Sequence, residues 1–298
     1  SKASEWLAAV VYEDPWLAGG HNGLSNAENP LEPQDPYPRV KALRDTMREG
    51  GISDDVPIVM AGGVWYLRDW DNWIDNPELG SIAFQFGTRP LLTQESPIPE
   101  AWKARLMELE PGDVLLHKFS PTGFYSSAVR NPFLRNLEAR SERQIAFSKQ
   151  EAGDHAFQLD AGVKSKNFWV TRGDLLRARE WVGLGYTEAL KTPDNTLVFV
   201  TPQEKEEIRK DQADCMGCLS QCQFSSWADT ETNSTGRLAD PRSFCIQKTL
   251  QEIAHGGPVD ENLMFAGHNA YNFKKDPFYS NGYVPTVKQL VDRILTGD

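Results

Sequence analysis

The chain has 298 residues, a formal net charge of −11, 40% hydrophobic residues and 24% charged residues. This composition is typical of a folded, loop-rich protein that is long enough to bury a real core. The acidic balance argues against nucleic acid or an anionic membrane as the main partner, and the sequence has no apolar run near the roughly 20 residues of a membrane span.

The first third of the chain predicts three short buried strands, each followed by a loop that contains glycine. The strands are predicted at residues 6–12, 56–60 and 81–86. The loops are Ala18-Gly19-Gly20-His21, Ala61-Gly62-Gly63-Val64 and Gln85-Phe86-Gly87-Thr88-Arg89. Helices are predicted at residues 38–50, 67–75 and 99–110. This alternation indicates a parallel α/β sheet, and the last two loops suit a phosphate site at the C-terminal face of a (β/α)8 barrel.

The pattern changes after residue 110. Strands are predicted at residues 113–119 and 196–200, and helices at residues 131–147, 175–188, 203–212, 241–255 and 286–295. We therefore expect residues 1–110 to belong to the barrel, and residues 111–298 to form a mixed α+β accessory region that caps the active-site face.

Residues in the second and third loops have the chemistry of an anion site. Glycines at 62, 63 and 87 would let backbone N–H groups approach a phosphate, and the hydroxyl of Thr88 would add a donor. Arg89 could pair with the phosphate or with a carboxylate elsewhere. The alternative is that these glycines serve only tight turns after the strands.

The three loops, AGGH, AGGV and FGTR in one-letter code, together resemble the flavin-dependent nitronate monooxygenases, formerly called 2-nitropropane dioxygenases. Their relatives are the FMN-type enoyl-acyl-carrier-protein reductases. The resemblance covers roughly residues 4–96. It implies a (β/α)8 TIM barrel in which the loops follow strands six, seven and eight and bind FMN. The matching cofactor-binding positions are Gly19, Gly20, Ala61, Gly62, Gly63, Gln85, Gly87 and Thr88.

The resemblance also gives His21 the role of catalytic base, which deprotonates a small-molecule substrate beside the flavin. A neutral imidazole titrates near pH 6.5, at about its reference pKa, so it can accept a proton from carbon at neutral pH. The alternative is a structural loop histidine. Residues 265–273, which include His268 and Asn269, could line a substrate pocket or form a hydrogen-bonded turn.

The family's first five barrel strands would precede residue 1 of this sequence. Three βα units cannot close a barrel, and an open sheet of three strands leaves unpaired edges. We therefore expect strands six to eight, the C-terminal part of a barrel, which a missing N-terminal part or a second polypeptide completes.

Three of the four cysteines follow a C-x2-C-x3-C pattern at Cys215, Cys218 and Cys222, and Cys245 lies 23 positions further on. Four thiolates at such spacing could hold a [4Fe–4S] cluster or, less typically because a second C-x2-C pair is missing, a zinc ion. Free or disulfide-forming thiols are the third alternative. This cysteine usage favours a cytoplasmic protein over a secreted disulfide framework.

Together these features predict an FMN-dependent oxidoreductase that oxidises a small, nitronate-like carbon acid. One alternative is an FMN-dependent enoyl-thioester reductase, in which NAD(P)H reduces the flavin and the flavin reduces a C=C bond. The other is a non-catalytic subunit that carries an iron–sulfur cluster within a flavoprotein complex.

Overall fold

The computed structural model describes residues 6–25, 27–164, 167–218, 222, 224 and 240–297. The chain divides into two compact units. The first unit consists of Ser1–His117, Tyr125–Arg130 and Glu252–Asp298, and the second of Lys118–Phe124 and Asn131–Gln251.

The helices and strands follow one another in a mixed order. They are β1 (Val10–Glu13), β2 (Gly20–His21), α1 (Pro36–Glu49), β3 (Ile58–Ala61), β4 (Ile82–Gln85), α2 (Glu100–Glu108), β5 (Val114–His117), β6 (Ser126–Val129), α3 (Pro132–Glu142), β7 (Gln144–Ala146), β8 (Phe157–Gln158), β9 (Trp169–Val170), α4 (Arg172–Gly183), β10 (Glu188–Lys191), β11 (Thr196–Val200), α5 (Pro202–Ala213), α6 (Ile246–Ala254), α7 (Asn272–Lys275) and α8 (Val287–Thr296).

The first unit contains a parallel sheet with the strand order β1-β3-β4. Its register aligns Glu13, Ala61 and Gln85 in one row at the C-terminal ends of the strands. Helix α1 begins after Asp35, whose side chain accepts a hydrogen bond from the N–H of Tyr37. The helix and the sheet share one apolar core, formed by Val40, Met47, Ile58, Met60, Val64, Trp73 and Leu79.

A second sheet of the first unit is antiparallel, in the order β2-β6-β5. His21 of β2 and His117 of β5 both pair with Ser126 of the central strand. Close to this sheet, α2 and the C-terminal segment contribute to another core, which includes Trp65, Leu92, Trp102, Leu106, Val114, Val129, Phe273 and Tyr279.

The second unit is built on the antiparallel sheet β10-β11-β7. The central strand β11 is buried from Leu197 to Val200, which explains its continuous apolar sequence. Helix α5 then starts with a capping box between Thr201 and Glu204, a standard N-terminal signal. Strands β8 and β9 form a separate antiparallel pair.

A strand forms in each of the three predicted segments, although β1 starts only at Val10. Only β3 is largely buried as predicted, because β1 alternates between half-buried and exposed residues and β4 is half-buried. The helix predicted at residues 67–75 is wrong, because only Leu67–Trp70 form a 3-10 turn. Trp70 packs edge-on against Trp73 with ring centroids 4.8 Å apart, and Asp75 has φ of +54°, so the segment turns.

Two predicted helices end earlier than expected. The helix expected over residues 131–147 ends at Glu142, because β7 pairs with β11. The helix expected over residues 175–188 ends at Gly183, and β10 then pairs with the other side of β11. In the first case pairing between distant strands overrides the local helical pattern. In the second case a turn through Gly185, which has φ of +99°, ends the helix before β10 begins.

The compact units do not coincide with the boundary expected at residue 110. Strands β5 and β6 join β2 in one sheet, and Glu252–Asp298 also belong to the first unit. The functional boundary at residue 110, and the assignment of residues 111–298 to a cap, stay predictions. None of the described helices combines the length and the apolar character that crossing a bilayer requires.

Arg44 connects α1 to the parallel sheet. Its fully buried side chain donates hydrogen bonds to the carbonyl oxygens of Leu79 (2.5 Å), Val56 (3.0 Å) and Ser81 (2.9 Å). We expect Arg44→Lys to lower the free energy of unfolding by about 1–3 kcal/mol, because a single ammonium cannot satisfy three buried acceptors. Chemical denaturation measures this change.

The control is Arg179→Lys on α4, an exposed guanidinium paired with Asp160. That variant should change the free energy of unfolding by less than about 0.5 kcal/mol. Equal effects of the two substitutions would contradict a special role for Arg44.

Candidate functional site

A small cavity of about 80 Å³ lies at the C-terminal ends of β1, β3 and β4. The row formed by Glu13, Ala61 and Gln85 contributes to its lining, because the parallel register aligns these three positions. The complete lining is Glu13, Leu17, Ala18, Gly19, Ala61, Gly62, Gly63, Val64, Gln85, Gly87, Thr88, Gly267 and Asn269. The structure therefore brings all the predicted cofactor-binding residues except Gly20 to one cavity.

The loops after β1 and β3 touch each other, and this contact requires glycine. Gly62 has φ of +85° and Gly63 has φ of +75°, a region that side chains rarely adopt. A Cβ on Gly62 would lie 2.9 Å from the Cβ of Ala18, and one on Gly63 would lie 2.6 Å from Cδ1 of Leu17. These glycines keep the two loops in contact beside the cavity.

A segment from near the C-terminus completes the lining. The N–H of Gly267 donates to Oγ1 of Thr88 (3.0 Å), and the N–H of His268 donates to the carbonyl oxygen of Leu17 (3.0 Å). A Cβ on Gly19 would lie only 2.6 Å from the backbone of Ala266. Of the two roles that the sequence allows for residues 265–273, a pocket lining or a turn, the structure favours the first for Gly267 and Asn269, which line the cavity.

Glu13 is an ionisable residue of the cavity that the sequence does not predict as part of the site. Burial raises the pKa of its carboxyl group, so protonation beside a bound anion is easier than for an exposed glutamate. The available signal was its position at the end of the first strand, in line with the glycine loops of the next two.

The size and surface of the cavity fit one anionic group. Its volume is well below the roughly 300–1,000 Å³ of a complete small-molecule pocket, so it suits a phosphate and not a flavin ring. A Cβ on Gly87 would meet no atom within 4 Å, so the backbone of this loop is accessible to a ligand. The Thr88 hydroxyl already accepts one hydrogen bond and keeps its proton for a further acceptor.

Arg89 does not line this cavity. It is buried, donates to the carbonyl oxygen of Trp65 (2.7 Å) and to the hydroxyl of Tyr279 (3.2 Å), and lies 3.9 Å from the carboxylate of Asp276. Of the two roles considered for this arginine, the structure favours pairing with a carboxylate. An anion in the cavity would be held mainly by backbone N–H groups and one hydroxyl.

His21 lies in β2, two residues beyond Gly19, and like Gly20 it does not line the small cavity. It belongs to a strand and not to a loop as expected, because β2 pairs with β6. Its ring centroid is 6.0 Å from that of Phe265. Burial lowers the pKa of His21, so the imidazole is neutral at pH 7 and able to accept a proton.

Two more buried histidines lie in the same unit. Burial, with a smaller contribution from His21, lowers the pKa of His117 to about 3. Burial also lowers the pKa of His268, whose Nε2 lies 3.1 Å from Oγ of Ser127. Both rings are therefore neutral at pH 7, and they add no positive charge around His21.

All four cysteines line a different cleft, of about 530 Å³, in the second unit. The side chains of Cys215, Cys218, Cys222 and Cys245 carry free thiols. Over the described residues, no three Cys, His, Asp or Glu side chains are arranged to hold a metal ion. The structure thus confirms that the cysteines share one location, while a cluster or zinc ion there stays a prediction.

A family model described as nitronate monooxygenase matches residues 2–297. This chain belongs to the nitronate monooxygenase family. The match extends the resemblance found in the first 96 residues to nearly the whole sequence. The (β/α)8 TIM barrel is the fold of this family, and the three parallel strands of the first unit agree with it. That this chain supplies only strands six to eight stays a prediction.

Among solved structures, FabK from Thermotoga maritima matches 99% of this chain with 13% identity and a TM-score of 0.45. A point mutant of the same FabK matches 48% of the chain with 21% identity and a TM-score of 0.32. The matches span 57% and 42% of those chains, respectively. No curated protein matches the sequence.

Gly87→Ala tests whether the cavity receives the phosphate of FMN. The new methyl group would meet no protein atom, so we expect unchanged thermal stability. It would occupy the space of the anion, and we expect FMN to bind about tenfold more weakly, or about 1.4 kcal/mol. Flavin fluorescence titration measures the affinity.

Gly183→Ala at the end of α4 is the matched control, since an added Cβ there also meets nothing within 4 Å. FMN affinity should be unaffected by this change. If Gly87→Ala binds FMN as tightly as the control, the phosphate does not occupy this cavity.

Proposed function

We propose that this protein is an FMN-dependent oxidoreductase that oxidises a small, nitronate-like carbon acid. The observation that carries the proposal is the meeting of three loops, each at the end of a neighbouring parallel strand, around one phosphate-sized cavity. Membership of the nitronate monooxygenase family supports the same cofactor and reaction class.

In this proposal the backbone N–H groups of Gly62, Gly63 and Gly87 and the hydroxyl of Thr88 hold the phosphate. Gly19 lies at the same cavity and leads directly into Gly20 and His21. The chain therefore connects the phosphate site to the proposed base within three residues. FMN, when bound, would supply the redox chemistry by accepting an electron pair or hydride from the substrate and passing it to an acceptor.

His21 would act as the base that removes a proton from a carbon atom of the substrate. Its lowered pKa keeps the imidazole neutral at pH 7, and it also makes the imidazole a weaker base than a free histidine. A weak base suits a substrate whose C–H group is itself acidic. This match favours a neutral nitroalkane, which carries an acidic C–H group, over an unactivated carbon.

Pairing of β2 with β6 fixes the backbone of His21, and the ring of Phe265 lies beside the imidazole. An apolar neighbour reduces contact with water and favours the neutral form of the base. We propose that these two contacts orient the imidazole toward the substrate.

The net charge of −11 supports the proposal that neither nucleic acid nor an anionic membrane is the main partner. A cytoplasmic location, and a further polypeptide segment that completes the barrel, are proposals as well.

Replacement of His21 by alanine tests the proposed base. We expect kcat/KM for a nitroalkane to fall by about 10²–10⁴-fold, the usual contribution of a general base, while FMN remains bound. Turnover and flavin content are measured on the same samples. His255→Ala, at an exposed position, is the control and should retain full activity.

Unchanged turnover in His21→Ala would contradict the role of His21 as the catalytic base. Absence of turnover by the unaltered protein with FMN bound would instead support the non-catalytic alternative. Activity of the unaltered protein on an enoyl thioester with NAD(P)H, and none on a nitroalkane, would instead support the reductase alternative.

The pH profile offers an independent test. A base with a lowered pKa stays neutral, and therefore active, to more acidic pH than a free histidine. We expect the acidic limb of kcat/KM for the nitroalkane to have its midpoint below about pH 6.5. Steady-state rates between about pH 4.5 and 8.5, about two units either side of this value, would define the limb. A midpoint above 6.5 would contradict the proposed role of a buried neutral His21.

A further inference from the structure

The second unit contains a cleft that the proposed flavin site does not use. Every cysteine of the chain lines it, although these residues come from separate stretches of the sequence. Cys215 and Cys218 follow α5, and Cys245 immediately precedes α6. Cys222 is buried, Cys218 is exposed, and the other two are half-buried, so the cysteines reach from the protein interior to solvent.

Backbone amides face three of the four sulfur atoms. The N–H of Gly217 donates to Sγ of Cys215 (3.4 Å), and the N–H of Phe224 donates to Sγ of Cys222 (3.1 Å). Each donor lies two residues after its cysteine. Gly217 has φ of +67° and Phe224 has φ of +68°, which shows that the chain turns back sharply toward each sulfur. Such hydrogen bonds stabilise a thiolate and are among the factors that tune iron–sulfur centres.

Cys245 has a further source of thiolate stabilisation. Its carbonyl oxygen accepts from the N–H of Thr249 (3.2 Å), which places Cys245 at the start of α6. Its sulfur also accepts from the N–H of Lys248 (3.4 Å). A thiolate at a helix N-terminus is favoured by the helix dipole. The ammonium of Lys248 lines the same cleft, where it pairs with Asp211 (2.7 Å).

The size of the cleft bears on whether the cysteines would hold one metal ion or a larger group. Four sulfurs around a single zinc ion would lie about 3.8 Å apart, given Zn–S bonds of about 2.3 Å in a tetrahedron. The described residues offer no such convergence of ligands. The thiols surround a cleft of about 530 Å³ instead, which has room for a group of several atoms. A cuboidal cluster presents its iron atoms at separate corners, and each corner needs one thiolate.

We propose that Cys215, Cys218, Cys222 and Cys245, brought together around this cleft, ligate one [4Fe–4S] cluster. Each thiol loses its proton when it binds iron. The proposal rests on the second unit alone, and it holds whether or not the first unit binds FMN.

Anaerobic reconstitution of the full chain with equal amounts of ferrous and ferric iron and with sulfide tests the proposal. We expect about four iron and four sulfide atoms per chain, with broad visible absorbance that dithionite bleaches. After loading, all four thiols should resist alkylation, which mass spectrometry counts directly. Each Cys→Ser variant should lose most of the cluster, and circular dichroism of each variant confirms that it is folded.

Met216→Leu is the matched control, because Met216 lines the same cleft between two of the cysteines and carries no thiol. It should bind the full cluster. Binding of one zinc ion per chain with no iron would overturn the proposal, and so would isolation of the anaerobic protein with disulfide bonds between these cysteines. Unchanged cluster content in each of the four single Cys→Ser variants would overturn it too.

Discussion

The in-register parallel pairing of β1, β3 and β4 is the constraint on which the candidate flavin site depends. Parallel strands end on the same side of a sheet, so the loops that follow them must meet there. The register aligns Glu13, Ala61 and Gln85, and the three glycine loops continue from this row. A shift of one residue in any strand would turn these side chains to the other face of the sheet. The cavity therefore exists because the pairing is fixed.

Buried charge in the first unit is used for structure rather than for binding the anion. Arg44 donates to three backbone carbonyls near the strand starts, and Arg89 lies between Trp65, Tyr279 and Asp276. A buried guanidinium without such acceptors would be costly. With both arginines engaged in this way, the cavity offers an anion backbone N–H groups and a hydroxyl. Such groups are fixed by the fold and need no reorganisation when a ligand binds.

The two units show two ways of preparing a site. In the first unit, glycines remove side chains so that the backbone can approach a ligand, as at Gly62 and Gly63. In the second unit, side chains are the proposed ligands, and backbone N–H groups support the sulfur atoms of Cys215, Cys222 and Cys245. In both units, residues with positive φ shape the loops that form the site. The helices and strands on either side of these loops hold them in place.

The sequence by itself determined the positions of the three N-terminal strands, the glycine loops after them, the family and the clustering of Cys215, Cys218 and Cys222, because each leaves a local signal. It did not reveal that β7 interrupts a predicted helix, since the pairing of β7 with β11 is a long-range interaction. It also could not place Glu13, Gly267 and Asn269 at the cavity. Gly267 lies 179 positions from Thr88, to which its N–H donates. Only the tertiary structure decides such contacts, because they depend on how distant segments pack and not on the pattern within either one.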